Sequence, residues 1–304
     1  MGSKLVICGV GLIGGSFALA IKQYFAGRRE KSALAGRQKV RIVGLGRTPA
    51  PLEQALQLGV IDEIATDWMS ALKGADLVLL GMPVGQMLPV MQAMAPHLEP
   101  QTLVTDGGST KSDVVAVARA AFGNKLGQFV PGHPIAGAEK SGVTAARADL
   151  YQGKRVVLTP LPENSLEAVK AVRLVWEICG ARVSELLPEE HDRVFAAVSH
   201  LPHLLAFALV HDLAVRDNAN LLFGFAASGF RDFTRIASSH PEMWRDICLA
   251  NRSALLKELD AYMIELLRTR VLLASADSAG LEAMFDTART RRDAWLKSLL
   301  PVGE

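Results

Sequence analysis

The chain has 304 residues, of which 50% are hydrophobic and 21% charged, with a formal net charge of +2. A length beyond what one core usually supports points to two domains. Near-neutral, interspersed charge gives no basic surface for nucleic acid. Three scattered cysteines, Cys8, Cys179 and Cys248, form neither a CxxC motif nor an even disulfide framework. They read as buried thiols of a cytoplasmic protein.

Residues 5 to 21 carry no charge and superficially resemble a signal peptide or a short membrane span. Four glycines and a slightly short length argue instead for a globular strand–turn–helix, with no membrane association. Lys4 to Gly9 is a compact apolar run of the kind that forms a buried parallel strand. It leads into Gly9-Val10-Gly11-Leu12-Ile13-Gly14-Gly15-Ser16, a GxGxxG, and then into a helical pattern. In that order Gly9 makes a tight turn, Gly11 admits a pyrophosphate, and Gly14 lets helix and strand pack closely. Leu12 and Ile13 open the helix whose N-terminus attracts the anion.

The polar stretch from Gly27 to Lys39 reads as an exposed loop before a second strand, Val40 to Gly46. An NAD-binding domain usually ends this strand with a carboxylate for the ribose hydroxyls. Here Gly46 is followed by Arg47 and Thr48, which suit a 2′-phosphate, so NADP is expected over NAD. Helix and strand patterns then alternate: helix from Pro51 to Leu58, strand from Ala75 to Pro83, helix from Gln86 to Ala95, strand from Thr102 to Asp106. This is a doubly wound α/β domain, whose ligands lie beyond the carboxyl ends of the strands. Pro83 and the loop Asp106 to Lys111 should therefore face the cofactor. Ser109 in that loop either caps the next helix or touches substrate.

The strand at Gln128 to Val130 delivers Pro131-Gly132-His133-Pro134 to the same rim, as a rigid loop. Histidine is the side chain best suited to accept a proton near neutral pH, which makes His133 the candidate base. A strand at Arg155 to Thr159, a helix from Ser165 to Cys179 and Ala181 to Leu187 complete the sheet domain, residues 1–187.

From Pro188 to the end, residues 188–304, the pattern is helical. Glu189 to Val215 forms one long helix that Pro202 should kink. Within it His200 and His203 are three residues apart on one side. Without HExxH or a third ligand they do not make a metal site, and they are either structural or substrate-facing. Arg231 and Arg235 share a helical turn, with Asp232 placed to pair with Arg235, an arrangement suited to gripping a carboxylate. A helix from Pro241 carries Trp244, Ile247, Leu255, Met263 and Leu266, and a last helix spans 281–300. Such apolar helices imply packing against a second subunit.

Together, GxGLIGGS, Asp-x-Gly-Ser-x-Lys, Gly-His-Pro-Ile-Ala-Gly-x-Glu-Lys-Ser-Gly, Ser-His-Leu-Pro-His and Gly-Phe-Arg-Asp-x-Thr-Arg-Ile resemble the prephenate/arogenate dehydrogenase family of tyrosine biosynthesis. The resemblance runs from Leu5 to at least Trp244. It implies a Rossmann-type domain followed by an all-helical domain that forms the homodimer, with prephenate or arogenate as substrate and tyrosine as a possible inhibitor. By the same resemblance His133 hydrogen-bonds the substrate C4 hydroxyl and Ser109 orients it. His203 binds substrate, Arg235 holds a carboxylate, and Glu139, Asp232 and Trp244 form a surrounding network. Ala138 departs from the threonine common in relatives, and Gly46 agrees with NADP-using members. The competing readings are another two-domain NADP-dependent dehydrogenase, of the β-hydroxyacid type, or a non-catalytic NADP-binding sensor.

Overall fold

The computed structural model describes residues 4–30, 40–137 and 140–299, with the side chains of 28–30 excepted. By packing, the chain divides into two compact units, Met1–Ala254 and Leu255–Glu304. The first begins with β1 (Lys4–Cys8), α1 (Leu12–Glu30), β2 (Arg41–Leu45), α2 (Pro49–Gln57), β3 (Glu63–Ile64) and α3 (Trp68–Leu72). There follow β4 (Leu77–Leu80), α4 (Met87–Met94), β5 (Leu103–Asp106), α5 (Ser112–Phe122) and β6 (Phe129–Val130). The six strands form one parallel sheet in the order β3-β2-β1-β4-β5-β6.

Residue alternation along the strands explains why their sequences are apolar throughout. Leu5, Ile7, Ile42, Leu77 and Leu79 face one layer, packing with Phe17, Ile21 and Trp176. Val6, Cys8, Val43, Val78, Leu80 and Val104 face the other, against Met87, Met91, Val114 and Phe122. A sheet covered on both faces has no solvent side to mark with polar residues. The chain order reverses between β1 and β4, the place where such sheets bind ligands.

Three expectations change here. Helix α1 continues through Glu30, so Gly27 is helical; only residues 31–39 of the expected loop lie outside the described residues. The strands after β6 do not extend the large sheet. They are β7 (Gly132–Pro134), β8 (Arg155–Leu158) and, after α6 (Leu166–Ile178), β9 (Arg182–Glu185), in a separate sheet ordered β7-β8-β9. His133 consequently sits in an edge strand, opposite Val157, and not in a loop. Pro134 is compatible with that position because an edge residue need not donate to the ladder.

The helices α7 (Pro188–Phe195) and α8 (Leu201–Ala214) are joined by a π-helical turn, Ala196–His200, in which Leu201 N–H reaches back to the Ala196 carbonyl. This wide turn stands immediately before Pro202, where a regular helix would need the N–H that proline lacks. The run Pro188–Ala214 is long and apolar enough to cross a membrane by length and composition, yet its buried residues include His191, Asp192 and His200. Shorter helices follow, α9 (Ala219–Gly224), α10 (Ser228–Thr234) and α11 (Pro241–Ala250). The single helix expected from Pro241 breaks at Asn251, and α12 (Arg252–Ala274) starts afresh. The last helix, α13, spans Ser278–Leu299.

Candidate active site

Gly9 has φ +92°, and an added Cβ would lie 2.8 Å from the Gly81 backbone, so the turn after β1 requires glycine. At Gly14 an added Cβ would collide with the Gly9 carbonyl oxygen and the Ile7 side chain. A Cβ at Gly11 would meet nothing within 4 Å. Two of the glycines are thus explained by the protein's own packing, while Gly11 leaves the α1 N-terminus open to a ligand. The cradle fits the diphosphate of a dinucleotide.

That cradle is one wall of a cleft of about 550 Å³. Gly11, Leu12, Ile13 and Pro83 line it together with Ser109 and His133, so the predicted cofactor and catalytic groups share one space. The cleft is also lined by residues after α10, among them Ser239, His240 and Met243, which carry no site signal in the sequence, and Ile247, expected there only as part of an apolar helix face. Gly46, Arg47 and Thr48 stand exposed at the end of β2, and Thr48 precedes α2 without a side-chain capping bond.

Ser109 does not cap α5. The main-chain N–H groups of Lys111 and Ser112 donate instead to Asp192, at 2.8 Å each. The loop carrying Ser109 is held from beneath by Asp106. Its two oxygens accept from Gly108 N–H (2.8 Å), Gly132 N–H (2.9 Å) and the Lys111 ammonium (2.5 Å). Both side chains of this ion pair have no solvent exposure. Asp106 therefore ties the Ser109 loop to the strand bearing His133.

His133 is half-buried, and its Nδ1 lies 2.8 Å from His191 Nε2. Burial first, and then the neighbouring His191, Lys111 and His200, hold its pKa well below the usual 6.5. Phe195 packs edge-on against the ring with centroids 4.9 Å apart. His191 Nδ1 is 2.9 Å from Asp192 Oδ1. Burial also lowers the pKa of His191, partly offset by its hydrogen bond to Asp192. The Asp192 carboxyl resists burial through hydrogen bonds to His191, Ser112 and Lys111, and falls to about 2. This pair is not apparent from the sequence, where Pro-Glu-Glu-His-Asp looks like an acidic first helical turn. The available signal was His191 itself, one of only seven histidines.

His203 and Trp244 stack, with ring centroids 3.7 Å apart at 18°. His203 Nδ1 is 2.8 Å from the Ser199 carbonyl, a hydrogen bond that partly offsets the effect of burial on its protonation. Burial lowers His203 below its ordinary value, and Arg235 acts in the same direction. Arg235 begins the 3-10 turn after α10 and is exposed. The ion pair of Asp232 is with Arg231, at 3.7 Å, in place of the expected partner Arg235. Arg235, three residues from Asp232, lies at the C-cap just past the end of α10. Glu139 and Ala138 lie outside the described residues. His200 is buried, with Nδ1 3.0 Å from Asn251 Nδ2, which also donates to the Asp192 carbonyl. Burial drives His200 down to about 4. The ring nitrogens His200 Nε2 and Trp244 Nε1 have no hydrogen-bond partner among the described residues.

A doubly wound sheet with a glycine cradle opening on a half-buried histidine of lowered pKa defines a dinucleotide-dependent dehydrogenase. Residues 32–185 match the family described as prephenate dehydrogenase, nucleotide-binding domain, and 187–287 match prephenate dehydrogenase, dimerization domain. The chain belongs to the prephenate dehydrogenase family of NAD(P)-dependent oxidoreductases. It is 39% identical to a prephenate dehydrogenase of Bacillus subtilis over 96% of this chain and 76% of the relative. A cyclohexadienyl dehydrogenase of Zymomonas mobilis is 34% identical, over 95% and 94% of the two chains. Among solved structures, prephenate dehydrogenase from A. aeolicus, in complex with hydroxyphenyl propionate and NAD+, superimposes with a TM-score of 0.85 at 35% identity. That match covers 97% of this chain and 99% of the other.

Proposed function

We propose that this enzyme catalyses the oxidative decarboxylation of prephenate, arogenate or both, with NADP preferred and His133 taking the C4 hydroxyl proton. The observation that carries this reading is the shared cleft of Gly11, Leu12, Ile13, Ser109 and His133. The bound dinucleotide supplies the hydride acceptor. A neutral His133 is ready to take a proton at pH 7, because its pKa lies well below 6.5. Ser109, anchored by the Asp106–Lys111 pair, is the group that orients the hydroxyl. Arg235 pairs with a substrate carboxylate, and the His203–Trp244 stack fixes the imidazole beside it. Loss of the ring carboxylate then follows from the developing ketone and the gain of aromaticity. Residues 1–187 hold the cofactor and 188–304 the substrate and the partner subunit of a cytoplasmic homodimer.

The NADP preference rests on an exposed Arg47 beside Gly46, a glycine standing where an NAD-binding domain usually carries a carboxylate. NAD+ accompanies the A. aeolicus relative, so both cofactors enter the test. A Cβ at Gly46 would make ordinary contact with Leu52 at 3.7 Å, so Gly46→Asp fits and should reverse the preference. Steady-state assays of both substrates with NAD and NADP test the reading directly. Arg47→Ala should weaken NADP use about tenfold, the loss of roughly one charged hydrogen bond, and leave NAD use unchanged. His133→Asn should abolish turnover while dinucleotide binding persists. Surviving activity in that variant would sink the proposed base.

A further inference from the structure

We propose that His191 and Asp192 are positioning residues that lock His133 into the tautomer protonated on Nδ1, leaving Nε2 as the base. Main-chain donors fix the direction of hydrogen bonding at Asp192. Oδ1 receives the Lys111 N–H and Oδ2 the Ser112 N–H, both at 2.8 Å. Amide N–H groups cannot reverse roles, so the carboxyl group acts as an acceptor. Its low pKa, about 2, agrees with an ionised group.

His191 Nδ1, 2.9 Å from Oδ1, must then carry the proton. A neutral imidazole protonated on Nδ1 presents a lone pair at Nε2. That lone pair lies 2.8 Å from His133 Nδ1, where two lone pairs would repel, so His133 donates through Nδ1. The only nitrogen of His133 left unprotonated is Nε2. One carboxylate thus sets the proton positions of two rings in series. It also lets the imidazolium formed on His133 lean on a negative charge through a neutral intermediary, by the logic of a catalytic triad.

His191 protonation would break the pattern, because a doubly protonated His191 donates to His133 Nδ1. The charged and titratable groups around it are Asp192 on its own helix, Lys111 and Asp106 from the Ser109 loop, and His133 from β7. His200 faces His133 from the π-turn. Burial keeps His191 neutral at pH 7.

The inference rests on the proposed role of His133, and its test separates the two. In the full-length protein labelled with 15N-histidine, the His133 ring shifts at neutral pH report the tautomer without substrate, His133→Asn supplying the assignment. The wild type should show Nδ1–H. In His191→Phe, Asp192 keeps its main-chain donors while the acceptor of the His133 Nδ1 proton is gone, so His133 should become a mixture of tautomers. Asp192→Ala, which leaves no acceptor for the His191 Nδ1 proton, should release both rings in the same way. kcat should then fall by about tenfold or more, with KM little changed. A wild-type His133 protonated on Nε2, a His191→Phe variant with normal kcat, or a kcat loss without a change of tautomer would each overturn the relay. If a variant fails to fold, the wild-type spectrum alone decides. Failure of the wild type to turn over prephenate or arogenate would overturn the function and leave the tautomer standing.

Discussion

At Gly11 and Gly14 the same residue type answers two different demands. Gly14 is forced by packing, since a methyl there meets the Gly9 carbonyl and Ile7. Gly11 has open space around its missing Cβ. Gly14→Ala should therefore destabilise the fold, by about 1–3 kcal/mol as overpacked sites do, measured by urea denaturation. Gly11→Ala should keep the wild-type denaturation midpoint and lose dinucleotide affinity, on the order of tenfold or more, in a fluorescence titration. Equal effects of the two substitutions on stability would contradict this division. The GxGxxG spacing alone made both positions legible, because its mechanical meaning is local to one strand, one turn and one helix.

Among the elements, the loop between β5 and α5 depends most on one interaction. Lys111 is fully buried, and its ammonium meets Asp106, which also accepts from Gly108 and Gly132 N–H. Lys111→Met keeps the volume of the stem and strands a buried carboxylate. The expected cost is about 3–5 kcal/mol, read as a lower denaturation midpoint, with kcat reduced through the displaced Ser109. An unchanged midpoint would show that Asp106 is satisfied without its cation. The Asp-x-Gly-Ser-x-Lys motif marked this loop in the sequence, but burial of the lysine was not readable there, since lysine is almost always exposed. His133 on an edge strand was hidden for a related reason. Flanking prolines and glycines look alike in a loop and at a sheet margin.

For the whole molecule, the unusual feature is how many histidines are held neutral. His133, His191, His200 and His203 all have pKa values below the ordinary 6.5, burial being the main cause in each. In the unfolded chain they protonate near 6.5, so between that pH and their folded values the unfolded state binds more protons. Stability should fall as pH drops from about 6.5. For His200, with a folded value of about 4, the full penalty is about 3 kcal/mol below that pH. Asp192 acts later: its contribution is present above 3.8 and is lost as pH falls through about 2. Urea midpoints between pH 8 and pH 4 should trace the histidine decline, and a flat profile would count against these burials. In the second unit, Met263, Ile264, Leu267 and Val271 of α12 and Phe285 and Trp295 of α13 are exposed. Light scattering should accordingly give roughly twice the 32.7 kDa chain mass.

By itself the sequence determined the alternating β/α order and the dinucleotide turn, which short-range spacing carries, while linked motifs and the family they resemble made Ser109, His133, His203, Arg235 and Trp244 the candidates. Only the tertiary structure decided that Asp192 stands 81 positions from the Lys111 N–H it accepts, and that His191 lies 58 positions from the ring it faces. It likewise brought Asn251 against both His200 and Asp192, breaking what reads as one helix. Spacing along a chain reports what neighbours can do. The proton positions of the candidate base depend on groups brought together by packing, for which no local period exists.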